Sequence, residues 1–304
     1  LERVDAISCV YLAWSFAKAG VKDSDLFDEL RRRLTGAVEG LDRCGLAMLS
    51  WSFARAGGGL EAQRLVADDI MRPPRLAELA PRDVSGILWG FAVSKFQEGP
   101  CAGALVAHAA GLLDDALAQR CYRSPGKSLF RDVYVGDGSA VDGAVDAWDA
   151  ISIRDVLWAC AELEVPVGEF QRNAERYLVL GLRDDPRLPF KLIRQPSALA
   201  QVIRCFAALP GESSDLLDAA APHVAERLQR FGRRDCAALL WAWAAAVGAR
   251  RDEELLGALA RRAAEEETGQ PLGAQDASEL AWATRVLRLS DDAPRARGPA
   301  PPHS

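Results

Sequence analysis

Three histidines (His108, His223, His303) and seven cysteines (Cys9, Cys44, Cys101, Cys121, Cys160, Cys205, Cys236) are the side chains best suited to nucleophilic or metal chemistry. A zinc site draws its ligands from closely spaced groups such as CxxC pairs. No such pair occurs, and the cysteines are scattered. A dispersed, odd-numbered set reads instead as small buried hydrophobes in a reducing compartment. A histidine-based triad needs His108 or His223, yet both lie in helical, apolar contexts without a Gly-rich elbow. No catalytic residue, metal or cofactor is assigned, and an enzyme is not expected.

Two further motifs dissolve on inspection. Ser124-Pro-Gly-Lys-Ser128 lacks the spacing of a phosphate loop and any strand before it. In Asp137–Gly143 the acids miss the alternate positions of a calcium loop and the closing Glu is absent. One charge feature stands out. Glu226–Arg262 holds eight arginines and five acids, a net +3 inside a chain whose total is −6.

The strongest pattern is built on tryptophan. Tyr11-Leu-Ala-Trp14-Ser-Phe-Ala, Met48-Leu-Ser-Trp51-Ser-Phe-Ala, Gly86-Ile-Leu-Trp89-Gly-Phe-Ala and Ala238-Leu-Leu-Trp241-Ala-Trp-Ala repeat one phrase. Weaker copies centre on Trp158, Arg204 and Trp282. The first anchors stand 37 and 38 residues apart, and Arg204 precedes Trp241 by 37. A period of this size is two helices and two turns. The step from Trp89 to Trp158, 69 residues, fits one repeat plus an insertion.

The elements follow from this register. Asp5, Asp42 and Asp149 stand nine residues before an anchor, as N-caps would. Pro81 and Pro196 stand eight before it, suiting the first helical position, and Asp83, Asp235 and Asp276 six before it, in the first turn. The first helix is apolar almost all round, so the Trp anchors are expected to pack between helices. The second is amphipathic, as in Asp25–Leu34, Glu169–Leu178 and Glu253–Arg262. Gly20, Gly57 and Gly248 follow the first helix as stops. No alternating strand pattern is sustained.

One such hairpin cannot bury its apolar face alone, whereas stacked hairpins can. The expected fold is therefore all-α: an α-solenoid of about seven helix-turn-helix repeats of roughly 37–38 residues. Residues 1–118 hold repeats 1–3, 119–148 an irregular insertion, 149–290 repeats 4–7 with the last partial, and 291–304 a disordered tail. No apolar run of bilayer length is read, and neither a membrane nor a small-molecule substrate is expected as partner. The chain begins at Leu1 in what reads as mid-repeat, so a targeting segment is expected to be missing from it.

The Leu-x-Trp-[Ser/Gly/Ala]-Phe-Ala core resembles octotricopeptide-type repeats and the related helical repeats of FAST-kinase-like and RAP-domain proteins. The likeness covers residues 1–118 and 149–290. It is specific at Trp14, Trp51, Trp89 and Trp241, looser at Trp158 and Trp282, and poor at Arg204. It implies an organellar factor, mitochondrial or chloroplast, that binds RNA and affects its processing, stability or translation within ribonucleoprotein assemblies. No RAP module is recognisable, so no nuclease activity is carried over.

Helical repeats that read single-stranded RNA present a few polar side chains per unit on one helix face. Polar positions on the first helix make Arg82, Ser85, Arg154, Gln201 and Arg234 expected contacts, with Ser278 equivalent to Ser85. Arg233 joins Arg234 from the arginine-rich segment, whose forks match phosphate oxygens. The alternative is a protein-interaction scaffold without RNA, which the acidic total suits.

Overall fold

The structure, a computed structural model, describes residues 5–57, 59–122, 148–184, 196–209, 214–246, 249–250, 252–265 and 272–288. Its helices are α1 (Ala6–Lys18), α2 (Ser24–Leu34), α3 (Arg43–Ala56), α4 (Leu60–Ile70), a one-turn α5 (Arg75–Glu78), α6 (Pro81–Val93), α7 (Cys101–Tyr122), α8 (Ala150–Leu163) and α9 (Gly168–Asp184). They continue as α10 (Pro196–Ala208), α11 (Ser214–Glu226), α12 (Arg233–Ala245), α13 (Glu253–Ala264) and α14 (Ala274–Val286). The described residues contain no strand. The protein is an all-helical repeat solenoid, as its tryptophan period predicts.

Contacts divide the chain into two units, Leu1–Ala174 and Glu175–Ser304. In the first, the anchor-bearing helices α1, α3, α6 and α8 pack in series, each against the next. In the second, α10, α12 and α14 do the same. Because α8 packs directly on α6, the insertion between them leaves the seam unbroken. The boundary between units falls instead inside α9. Residues to Tyr122 are helical, and Trp148 is buried against Phe170, ring centroids 5.4 Å apart. Residues 123–147, Gly248 and the tail 291–304 lie outside the described residues.

The caps recur in register. Asp5, Asp42 and Asp149 accept from the backbone N–H three residues on, at 2.9, 2.7 and 2.7 Å. Where a proline or glycine stands nearby, the acid of the first turn bonds backward. Asp83 accepts from Ala80 N and Asp235 from Gly232 N, both at 3.1 Å. The helix ends recur too. Six residues after the anchor the backbone is left-handed at Gly20 and Gly57, and also at Lys95, Glu164 and Arg288. Val21, Phe96 and Val165, one residue further on, donate to Phe16, Phe91 and Cys160 carbonyls, closing a Schellman turn.

The first helices approach closely because their facing residues are small. A Cβ added at Gly90 of α6 falls 2.1 Å from Ser50 Oγ of α3 and 3.0 Å from the Ser50 backbone. Ser50 is fully buried, donates to Gln63 Oε1 of α4 at 2.6 Å, and its carbonyl accepts from Gln63 Nε2 at 2.9 Å. This satisfied network joins both helices of one hairpin to the next. On α3, α6, α10 and α12 the residue filling the core is the one two positions after the anchor: Phe53, Phe91, Phe206 and Trp243 are all but fully buried. The second helices bury one stripe, such as Phe27, Leu30 and Leu34 of α2. α7 is long and apolar enough to cross a bilayer, yet it buries Leu105, Ala109, Leu113 and Leu117 on one face and exposes Asp114 and Asp115.

Candidate ligand-binding face

The first helices α1, α3, α6 and α12 are walled by neighbouring first helices and by their own second helices, and one face of each first helix stays open. That face holds the anchor together with the residues seven and three before it and four after it. On α1 it is Ile7, Tyr11, Trp14 and Lys18; on α3, Cys44, Met48, Trp51 and Arg55; on α6, Arg82, Gly86, Trp89 and Val93. Trp14, Trp51, Trp89, Trp158, Trp241 and Trp282 are all half-exposed. The anchors are thus covered on one side only, although their rings still meet between neighbouring helices. Repetition marked the tryptophans, but the burial falls to the residue two positions on.

The rings meet across the seams. Trp51 and Trp89 stack with centroids 6.0 Å apart and planes at 27°. In the second unit Trp241 and Trp282 lie 6.5 Å apart, tilted by 43°. Arg204, which replaces the anchor on α10, sets its guanidinium 5.9 Å from the Trp241 ring and pairs with Glu279 at 2.6 Å. Lys18 sits 4.5 Å above Trp14. Both are cation–π contacts in geometry.

Of the polar residues expected on this face, three lie there: Arg82 and Gln201, exposed, and Arg234, exposed and paired with Asp276 at 3.1 Å. Ser278 is half-buried on α14, and three more lie elsewhere. Ser85 is buried, 4 % accessible, and donates to the Arg82 carbonyl at 3.0 Å, because a residue four before the anchor turns into the seam. Arg154, also four before, is half-buried and grips Asp155 at 2.5 Å. Burial pushes the Asp155 carboxyl up, against the pull of Arg154. Arg233 donates to the Ala263 carbonyl of α13 at 3.1 Å and so ties its hairpin together. Lys18, Arg55 and Tyr11 belong to the open face and were not singled out; four residues past the anchor is one helical turn, a spacing that finds the two cations.

Charge on the face of the first unit is uneven. Lys18, Arg55 and Arg82 form no ion pair among the described residues. The acids there, Asp155 and Glu162, are paired, Glu162 with Lys95 at 2.5 Å. At the stripe positions of α1, α3 and α6 the unneutralised charge is therefore positive, while the unpaired carboxylates Asp5 and Asp42 stand at the helix starts.

The remaining chemical groups are structural in their contacts. His108 bonds the Leu79 carbonyl and His223 the Leu182 carbonyl, each at 2.9 Å. Burial pushes the Cys101 and Cys160 thiols up to about 12. Cys44 is exposed on the open face, with its thiol also held above the usual range, by burial and then by Asp83. No group of three or more His, Cys, Asp or Glu side chains converges among the described residues. A cleft of about 700 Å³ lies beyond the ends of α3 and α6, floored by Phe27 and Phe53 and rimmed by Lys22, Arg31, Leu60 and Val93. Compared with protein-family models and with curated proteins, the chain matches none.

Proposed function

We propose that the protein binds RNA along the open face of its first helices. One observation carries this reading: in a chain of net charge −6, the unpaired charges on that face of the first unit are the cations Lys18, Arg55 and Arg82. A row of cations repeated from helix to helix suits a linear polyanion, since each neutralised phosphate releases counterions. The repeat phrase and its resemblance to organellar RNA-binding repeats point the same way. On that reading the protein is a mitochondrial or chloroplast factor for RNA processing, stability or translation, working beside ribonucleoprotein partners and carrying no catalytic step.

A protein partner is the second reading. The face of the second unit favours it, where Arg204 and Arg234 are neutralised by Glu279 and Asp276 and the rest includes Ala238, Ala245 and Val286.

The test is a salt titration of RNA binding by the whole chain, wild type against Arg55→Glu/Arg82→Glu. Loss of two phosphate contacts weakens binding and flattens the dependence of log K on log salt by about 1.4. Unchanged affinity and slope would overturn the reading. Recovery of RNA after crosslinking in cells then identifies the target.

A further inference from the structure

We infer that the half-exposed tryptophans of the first unit are stacking platforms for unpaired bases, so that the ligand is single-stranded and a duplex is excluded. Base stacking on these rungs presupposes the RNA contact proposed above and adds its means and its strand selectivity.

A seam that needs apolar filler buries its largest side chains, because burial of an indole removes the most apolar area from water. The seams here are already filled by Phe53 and Phe91, 1 % and 0 % accessible. Trp51 and Trp89 stand beside them, partly in water and in the same register on adjacent helices. Their planes lie within 27° of each other. Arg55 lies one turn beyond Trp51, and Arg82 two turns before Trp89 on the same face. Aromatic surface next to unpaired cations is the combination a single strand requires, with bases on the rings and phosphates on the cations. In a duplex the base faces are covered by their neighbours, and only edges and backbone remain to be read.

The second unit shows what a substituted rung retains. Arg204 takes the anchor position and lies over Trp241, and a guanidinium plane also stacks on bases. Its partner Glu279 and the pair Arg234–Asp276 neutralise that surface, so the first unit is the stronger platform.

The experiment compares wild type, Trp51→Leu/Trp89→Leu, Trp51→Phe/Trp89→Phe and Arg55→Glu/Arg82→Glu. Anisotropy measures binding of a fluorescently labelled mixed-sequence RNA, as single strand and as duplex, and circular dichroism measures helicity. Stacking predicts that wild type prefers the single strand and that the Leu pair weakens it by about tenfold or more, whereas the Phe pair keeps most of the affinity. If the Leu pair loses helicity, photocrosslinking of wild type to 4-thiouridine RNA decides instead. Crosslinks within Arg43–Ala56 or Pro81–Val93 support stacking, and crosslinks confined elsewhere overturn it. Equal binding of wild type and the folded Leu pair, with the Arg pair weakened, sinks stacking and leaves the RNA reading standing. No RNA binding by wild type sinks both.

Discussion

At the scale of single residues, one position that recurs in five of the described repeats sets a backbone angle that most side chains resist. Lys95, Glu164 and Arg288 have φ of 54°, 55° and 55°, where other repeats use Gly20 and Gly57. For an L-residue this region costs about 1–2 kcal/mol, partly offset by the lower chain entropy of a non-glycine in the unfolded state. Glu164 ends α8 at the Schellman turn that its neighbour Val165 closes. Glu164→Gly is expected to stabilise the protein by roughly 0.5–1 kcal/mol, seen as a higher urea midpoint with an unchanged slope. A lower midpoint would show that the glutamate makes a compensating contact. The tryptophans carry the other residue-scale lesson. Their spacing was legible because repetition is visible in letters, but which side of the helix they face was not. Trp51 and Phe53 are both apolar and nearly adjacent, and only the tertiary neighbours decide that Phe53 goes in and Trp51 half out.

At the scale of helices, the seam between α3 and α6 depends on the absence of one methyl group. With Gly90 the helices approach until Ser50 lies against its backbone, and the Ser50 hydroxyl, within 3.3 Å of the Ile87 carbonyl, also serves Gln63. Gly90→Ala improves helix propensity by about 1 kcal/mol, but overpacking costs about 1–3 kcal/mol. The second effect wins here, because the obstructing atoms include Ser50 backbone as well as its Oγ. The expected result is a net loss of about 1 kcal/mol or more, measured by thermal or urea unfolding. A stability equal to wild type would mean that the seam relaxes freely. The caps of these helices were readable beforehand, since Asp5, Asp42 and Asp149 act locally on their own chain. The polar contacts of Ser85, Arg154 and Arg233 were less so, since a position one residue off the open stripe turns inward or sideways. A helix apolar on nearly every side gives no hint of which stripe stays open.

At the scale of the whole molecule, a repeat array is stabilised by its own hairpins and the interfaces between neighbours. Within residues 1–304, α3 and α6 each pack on a first helix at both flanks, and α1 packs on α3. The exposed side chains agree, with Tyr11 at 55 % and Phe16 at 36 % on α1, while Phe53 and Phe91, Phe16's counterparts, are buried. For a chain of residues 1–304 alone, local opening should therefore cost less at α1 than at α3 and α6. Native-state hydrogen exchange of the whole chain is expected to show protection rising from α1 to α3 and α6. Each missing interface lowers the opening free energy on the order of a few kcal/mol, or one to two decades in exchange rate. Uniform protection across these helices would mean that the unit opens only as one block. It would also remove the near-neighbour logic by which a substitution such as Trp51→Leu is expected to stay local.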